Sequence, residues 1–205
     1  MSEHDGLTDR LLDAAAHVFI EKGIDKAGVA AVARLAGVTT GAIYSRWSGK
    51  HEMMIAALDR VMSRELHEAL LSHPDSSAPD VLSSLGQDLV TSRNRTADSL
   101  LAEALALARR DPDFGQMLGR MFSEQEGRLG QIIDNGKANG LIDVSLETES
   151  IVALCHAISL GFVMFGAIDR PMPEAQGWDR LIKRMVAAAL PVNDKSQDTQ
   201  SPGAD

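Results

Sequence analysis

Residues 36–50 read AGVTTGAIYSRWSGK. Hydroxyl-bearing and basic residues crowd this stretch, it carries no acid, and Gly41 stands where the local pattern asks for a helix. Just upstream, VAAVARLA (29–36) reads as a short helix, and Gly37 supplies a left-handed turn at little steric cost. A second short helix is expected over about 40–46. Ala33 is small enough for the two helices to cross closely. Thr39 is placed to cap the second helix through its side-chain oxygen. Val38 and Ile43 stand at the spacing of a hydrophobic staple. Ile43 and Trp47, one turn apart, turn inward together. Two short helices on such a turn form a helix-turn-helix.

With Ile43 and Trp47 inward, Thr39, Thr40, Gly41, Tyr44, Ser45 and Arg46 point outward. Donors gathered at a helix amino terminus suit phosphates and base edges in a major groove. Lys50 falls in the first turn of the next helix, where a cation opposes the helix dipole and an anionic partner would compensate it. Charge agrees. The chain has a formal net charge of −9, yet Lys22, Lys26, Arg34, Arg46 and Lys50 face a single acid, Asp25, between residues 22 and 50. A basic face on an acidic body is the footprint of phosphate binding.

Helical periodicity continues outward in both directions, and runs of alternating β-branched residues are missing. Leu11, Leu12, Ala15, Val18 and Phe19 make one stripe, ended by Gly23. A long helix is expected over about 48–71, then a turn-rich connector, SHPDSSAP (72–79). Helices follow at about 80–94, 97–109, 113–137, 148–168 and 177–190, with breaks at Asp111-Pro112, Gly140 and RPMPE. The polar stretch 191–205 has no apolar periodicity and is expected to be a disordered tail. The fold class is therefore all-α, with about nine helices. Residues 151–168 (IVALCHAISLGFVMFGAI) carry no formal charge and meet the lower length limit for a membrane span. His156, Ser159 and acidic residues before the segment favour a helix buried in a core or subunit interface. The single cysteine excludes an internal disulfide and fits a reducing compartment. The polar amino terminus shows no secretory pattern, so a cytoplasmic location is expected.

Across residues 8–62 the chain resembles the amino-terminal domain of the TetR family of bacterial transcriptional regulators. The shared features are the alanines and Phe19 of the first helix, Gly23, the V-A-x-x-A-G-V-T core at 32–39, Gly41, Tyr44 and Lys50. The resemblance implies a DNA-binding domain over 6–66 (motif about 29–48), a helical ligand-binding and dimerisation domain over 67–190, and the tail. It implies a homodimer through the last two helices and a repressor released from a palindromic DNA operator by a small molecule. Family positions that touch DNA map to Thr39, Thr40, Gly41, Tyr44, Arg46 and Lys50. Two departures stand out. Ala27-Gly28 replaces the usual hydroxyl pair, leaving only a backbone N–H for a phosphate there, and Trp47 replaces the more common Phe.

In the larger part, Leu89, Leu105, Met117, Met121, Phe122 and His156 are candidates for lining a largely apolar ligand pocket. Plain core packing is the alternative for each. Cys155 and His156 adjoin and diverge on a helix, so neither a metal site nor a nucleophilic pair is expected. Glu124, Glu126 and Arg128 read as a solvated face. No phosphate-cradling loop or nucleophile elbow supports an enzyme, and no cofactor is implied. The competing reading is a helical ligand-binding or interaction protein without specific DNA binding.

Overall fold

The computed structural model describes residues 3–71, 77–91 and 95–191, with side chains over 6–63, 77–91 and 97–191. Most of the expected connector and almost all of the expected tail lie outside the described residues. Among the described residues the fold is all-helical: α1 (Glu3–Lys26), α2 (Val29–Ala36), α3 (Thr40–Tyr44), α4 (Lys50–Leu71), α5 (Ala78–Thr91), α6 (Arg95–Ala108), α7 (Pro112–Ala138), α8 (Thr148–Ala167) and α9 (Ala175–Ala187).

The breaks follow from local chemistry. Gly23 leaves the α1 helix with φ 69° and ψ 155°, a conformation that a side chain would oppose. At the end of α2, Val38 N–H donates to Ala33 O (2.9 Å) and Gly37 N–H to Arg34 O (3.3 Å), with Gly37 left-handed. That pair of bonds is a Schellman motif, and it makes the turn of the helix-turn-helix. The same motif closes α7, where Leu141 N–H reaches Gly136 O (2.8 Å) and Gly140 N–H reaches Lys137 O (3.0 Å). Asp111 caps the start of α7 by accepting from Phe114 N–H (3.0 Å), and Pro112 occupies the first turn.

Leu11, Ala15, Val18 and Phe19 of α1 join Val32, Ala33, Ile43, Met53, Met54 and Leu58 in one apolar core. That core continues into Leu100, Leu101, Ala104 and Leu107 of α6 and Phe114, Leu118 and Met121 of α7. The boundary expected after residue 66 is therefore crossed by continuous packing. A second cluster, Leu82, Leu129, Ile133, Ile142 and Val152, ties α5, α7 and α8.

Helix α8 is only partly covered within the single chain, where its buried residues are Val152, Phe162 and Val163. Leu154 and Met164 are each 50% exposed. By length and composition alone, with a mean hydropathy of 1.9, this helix could cross a membrane. Its aromatic end is nevertheless tied into the fold: Phe162 meets Trp178 of α9 edge-on, with ring centroids 4.9 Å apart.

Candidate nucleic-acid interface

Helix α3 is five residues long and cannot hold itself in place by its own hydrogen bonds. Packing holds it. Ile43 is fully buried and Trp47 nearly so, and both belong to the first core. Helical bonds run on past the helix, from Ser45 N–H to Gly41 O (3.0 Å) and from Trp47 N–H to Ile43 O (3.0 Å). This anchoring leaves Thr39, Thr40, Gly41, Tyr44 and Ser45 exposed on the opposite side. Lys22, Lys26 and Arg34 are also exposed.

Gly41 is informative. A Cβ built there would find only Thr39 Oγ1, at 3.7 Å, which is ordinary contact. Its φ is not positive either, so nothing inside the chain requires glycine at this position. The backbone of α3 is thus bare on its solvent side, where an external surface can approach closely.

Three expectations need correction. Thr39 occupies the cap position in extended geometry, yet its side chain makes no capping bond; only its carbonyl serves the helix, accepting from Ala42 N–H (3.1 Å). Arg46 does not extend freely outward. Its Nη1 donates to Ala42 O (2.9 Å) and Ser45 Oγ (3.3 Å), and its Nε donates to Thr8 Oγ1 (3.3 Å) of α1. Lys50 bends back as well, with Nζ donating to Ile24 O (3.0 Å) and Asp25 O (3.3 Å). The cation set against the α4 dipole is therefore compensated by carbonyls at the end of α1. Two of its three donors are committed, and the third remains for a phosphate. Lys50→Met is expected to lower stability by about 1–1.5 kcal/mol, the worth of charge-assisted bonds at a half-buried site. If Lys50 also meets a phosphate, the salt slope of DNA binding falls by about one. Denaturant unfolding and a salt titration read the two effects separately.

Glu52 is a contributor that sequence reading missed. Its carboxylate accepts from Ser48 N–H (2.6 Å), which holds its pKa below the usual carboxylate range and closes the turn before α4. The signal was legible as an acid at the third helical position.

In the larger part, Leu105 and Phe122 pack against the first core, and Met121 is buried within it. Phe122 meets the His156 ring edge-on at 5.8 Å, and His156 Nδ1–H donates to Glu126 Oε1 (3.1 Å). Leu89 and Met117 are half-buried on α5 and α7. Glu126 and Arg128 are not simply a solvated face: Glu126 reaches α8, and Arg128 Nη2 reaches Asp59 of α4 (3.0 Å). Burial pushes the Cys155 thiol pKa up, which makes it a poor nucleophile. No group of three or more metal-ligating side chains occurs among the described residues.

The profile for "Bacterial regulatory proteins, tetR family" matches residues 11–57. The regulator SrpR of Pseudomonas putida is 40% identical over 57 residues, 28% of this chain and 27% of SrpR. That match spans only about a quarter of SrpR's length. AqdR of Rhodococcus erythropolis is 26% identical over 144 residues, 70% of this chain and 68% of AqdR. A putative TetR-family regulator from a Rhodococcus species has the same fold, with a TM-score of 0.78 and 19% identity over 90% of this chain and 98% of that one. The amino-terminal domain is thus that of the TetR family of bacterial regulatory proteins, and the chain as a whole shares the fold of solved TetR-family structures.

Proposed function

We propose that the chain is a sequence-specific DNA-binding transcriptional regulator of the cytoplasm, acting as a homodimeric repressor that a small molecule releases from a palindromic operator. The observation that carries this reading is the bare amino-terminal face of α3. Thr39, Thr40, Gly41 and Tyr44 are exposed there, over an anchor of Ile43 and Trp47. Tyr44 is 59% exposed, and an exposed aromatic beside a glycine with no internal role fits a docking surface. Lys50 joins the DNA contacts through its third ammonium N–H, and Arg46 does so alongside the bonds it already makes within the chain.

The partner copy fits the apolar side of α8 and α9, where Leu154, Met164 and Leu181 are about half-exposed. The effector site is assigned to the larger part, 67–190, and to Leu89, Leu105, Met117, Met121, Phe122 and His156. These side chains suit a largely apolar molecule with one polar group, which the His156–Glu126 pair would meet.

The test separates folding from recognition at one residue. Gly41→Ala is expected to raise stability by up to ~1 kcal/mol, because alanine favours helix and finds room inside the chain. The same change should weaken operator binding, because the added methyl stands on the DNA side. Thr40→Ala and Tyr44→Ala should cost ~1–3 kcal/mol on operator and much less on random duplex. Gel shifts against DNA upstream of the protein's own gene, with a salt series, read this out. Equal losses on operator and random duplex would remove the sequence-reading role from these residues.

A further inference from the structure

Asp59 and Arg60 are neighbours on α4 and reach different parts of the molecule. Asp59 Oδ1 accepts from Gln125 Nε2 (3.1 Å) and Arg128 Nη2 (3.0 Å) of α7, and from Ser63 Oγ (3.1 Å) one turn along its own helix. Arg128 Nη2 also donates to Ser63 Oγ (3.0 Å). Arg60 turns the other way, with Nη1 bonded to Asp9 Oδ1 and Nε 3.6 Å from Asp13 Oδ1, both on α1. Among the described residues, Gln125 is the one polar residue that is buried.

We propose that Asp59 is a positioning residue for DNA recognition: it latches α4 to α7 at Arg128 and Gln125, and Arg60 passes that position on to α1 and the helix-turn-helix. This rests on the DNA-binding reading above. One carboxylate oxygen shared by three donors has a single register, which adds a directional constraint to the apolar packing between α4 and α7. The Asp59 and Arg128 side chains are 37% and 42% exposed, so the pair adds little to stability. Its value is geometric. The α7 segment that holds the latch also carries Phe122 and Glu126, which meet His156 of α8. A shift of α7 at that contact reaches Asp59 within about one helical turn.

Asp59→Ala, Arg128→Ala, the double variant and Asp59→Asn, which keeps the acceptor oxygen, are compared with the wild-type chain. The DNA probe is the duplex that the wild-type chain selects from a random pool, with unselected duplex as control. Each alanine variant is expected to lose about fivefold or more in affinity for the selected duplex, and less than about twofold for the control. The double variant should resemble either single one. Asp59→Asn should stay near wild type. Without DNA, amide hydrogen exchange in α4 should speed up by about fivefold in the alanine variants, with melting temperatures shifted by only about a few degrees. Additive losses, or unchanged exchange in α4, would overturn the latch. If the wild-type chain selects no duplex while exchange still changes non-additively, the DNA reading fails and the latch stands.

Discussion

Trp47→Ala is expected to cost about 3–5 kcal/mol and to remove operator binding with it. Trp47 is 8% exposed and stands one turn beyond the fully buried Ile43, so the two side chains tie the five-residue α3 into the first apolar core. Losing most of one anchor leaves a cavity that neighbouring side chains fill only in part. The loss approaches the whole stability of a small domain, and a displaced α3 presents no coherent surface. Trp47→Phe should cost under about 1.5 kcal/mol and keep binding, because a smaller aromatic ring still fills most of the site. Denaturant unfolding and gel shifts check both variants. A Trp47→Ala protein that bound operator as tightly as wild type would contradict the anchoring role.

Gly86→Val should destabilise by about 3 kcal/mol, at the upper end of what overpacking costs. A Cβ at Gly86 of α5 would lie 2.8 Å from Ile182 Cγ2 and 3.0 Å from Ile182 Cδ1 of α9. Ile182 is buried and β-branched, so it has little freedom to move aside. Trp178 Nε1–H also donates to Gly86 O (2.7 Å), and Gln87 Nε2 to Asp179 Oδ1 (2.5 Å). Pushing α9 away therefore strains polar contacts as well as packing. Because α8 and α9 carry the face proposed for the partner copy, the dimer should dissociate at higher concentration than wild type, as sedimentation or light scattering would show. Adding Ile182→Ala should recover part of the loss by reopening the space.

The helix-turn-helix was legible in the sequence because its signals are local. Gly37, Ala33, Ile43 and Trp47 lie within fifteen positions of one another, and each acts through backbone geometry or a neighbouring turn. The stops at Gly23, Pro112 and Gly140 were legible for the same reason. Long side chains were not. Arg46 meets Thr8, which is 38 positions away, and Lys50 meets the carbonyl of Ile24, which is 26 away. Neither partner leaves a mark in a periodic pattern. Glu126 and Arg128 looked solvated because α7 was read by its own periodicity, while their partners sit on α8 and α4. The apolar character of α8 was plain, but composition cannot tell a core neighbour from a second chain. The residues proposed to face DNA follow from which side of α3 is anchored, and those proposed for the pocket follow from no such constraint.

The chain has two tryptophans, and the fold sets them far apart in role. Trp47 sits in the anchor beneath α3, while Trp178 is wedged between Phe162 and the backbone of α5. Each of these two regions therefore contains a single tryptophan. With Trp47→Phe the tryptophan emission, excited where Tyr44 does not absorb, reports only on the α5–α8–α9 junction, and with Trp178→Phe only on the helix-turn-helix. Optical signals from the two ends of the molecule can thus be separated without any attached label, in titrations of DNA and of small molecules alike.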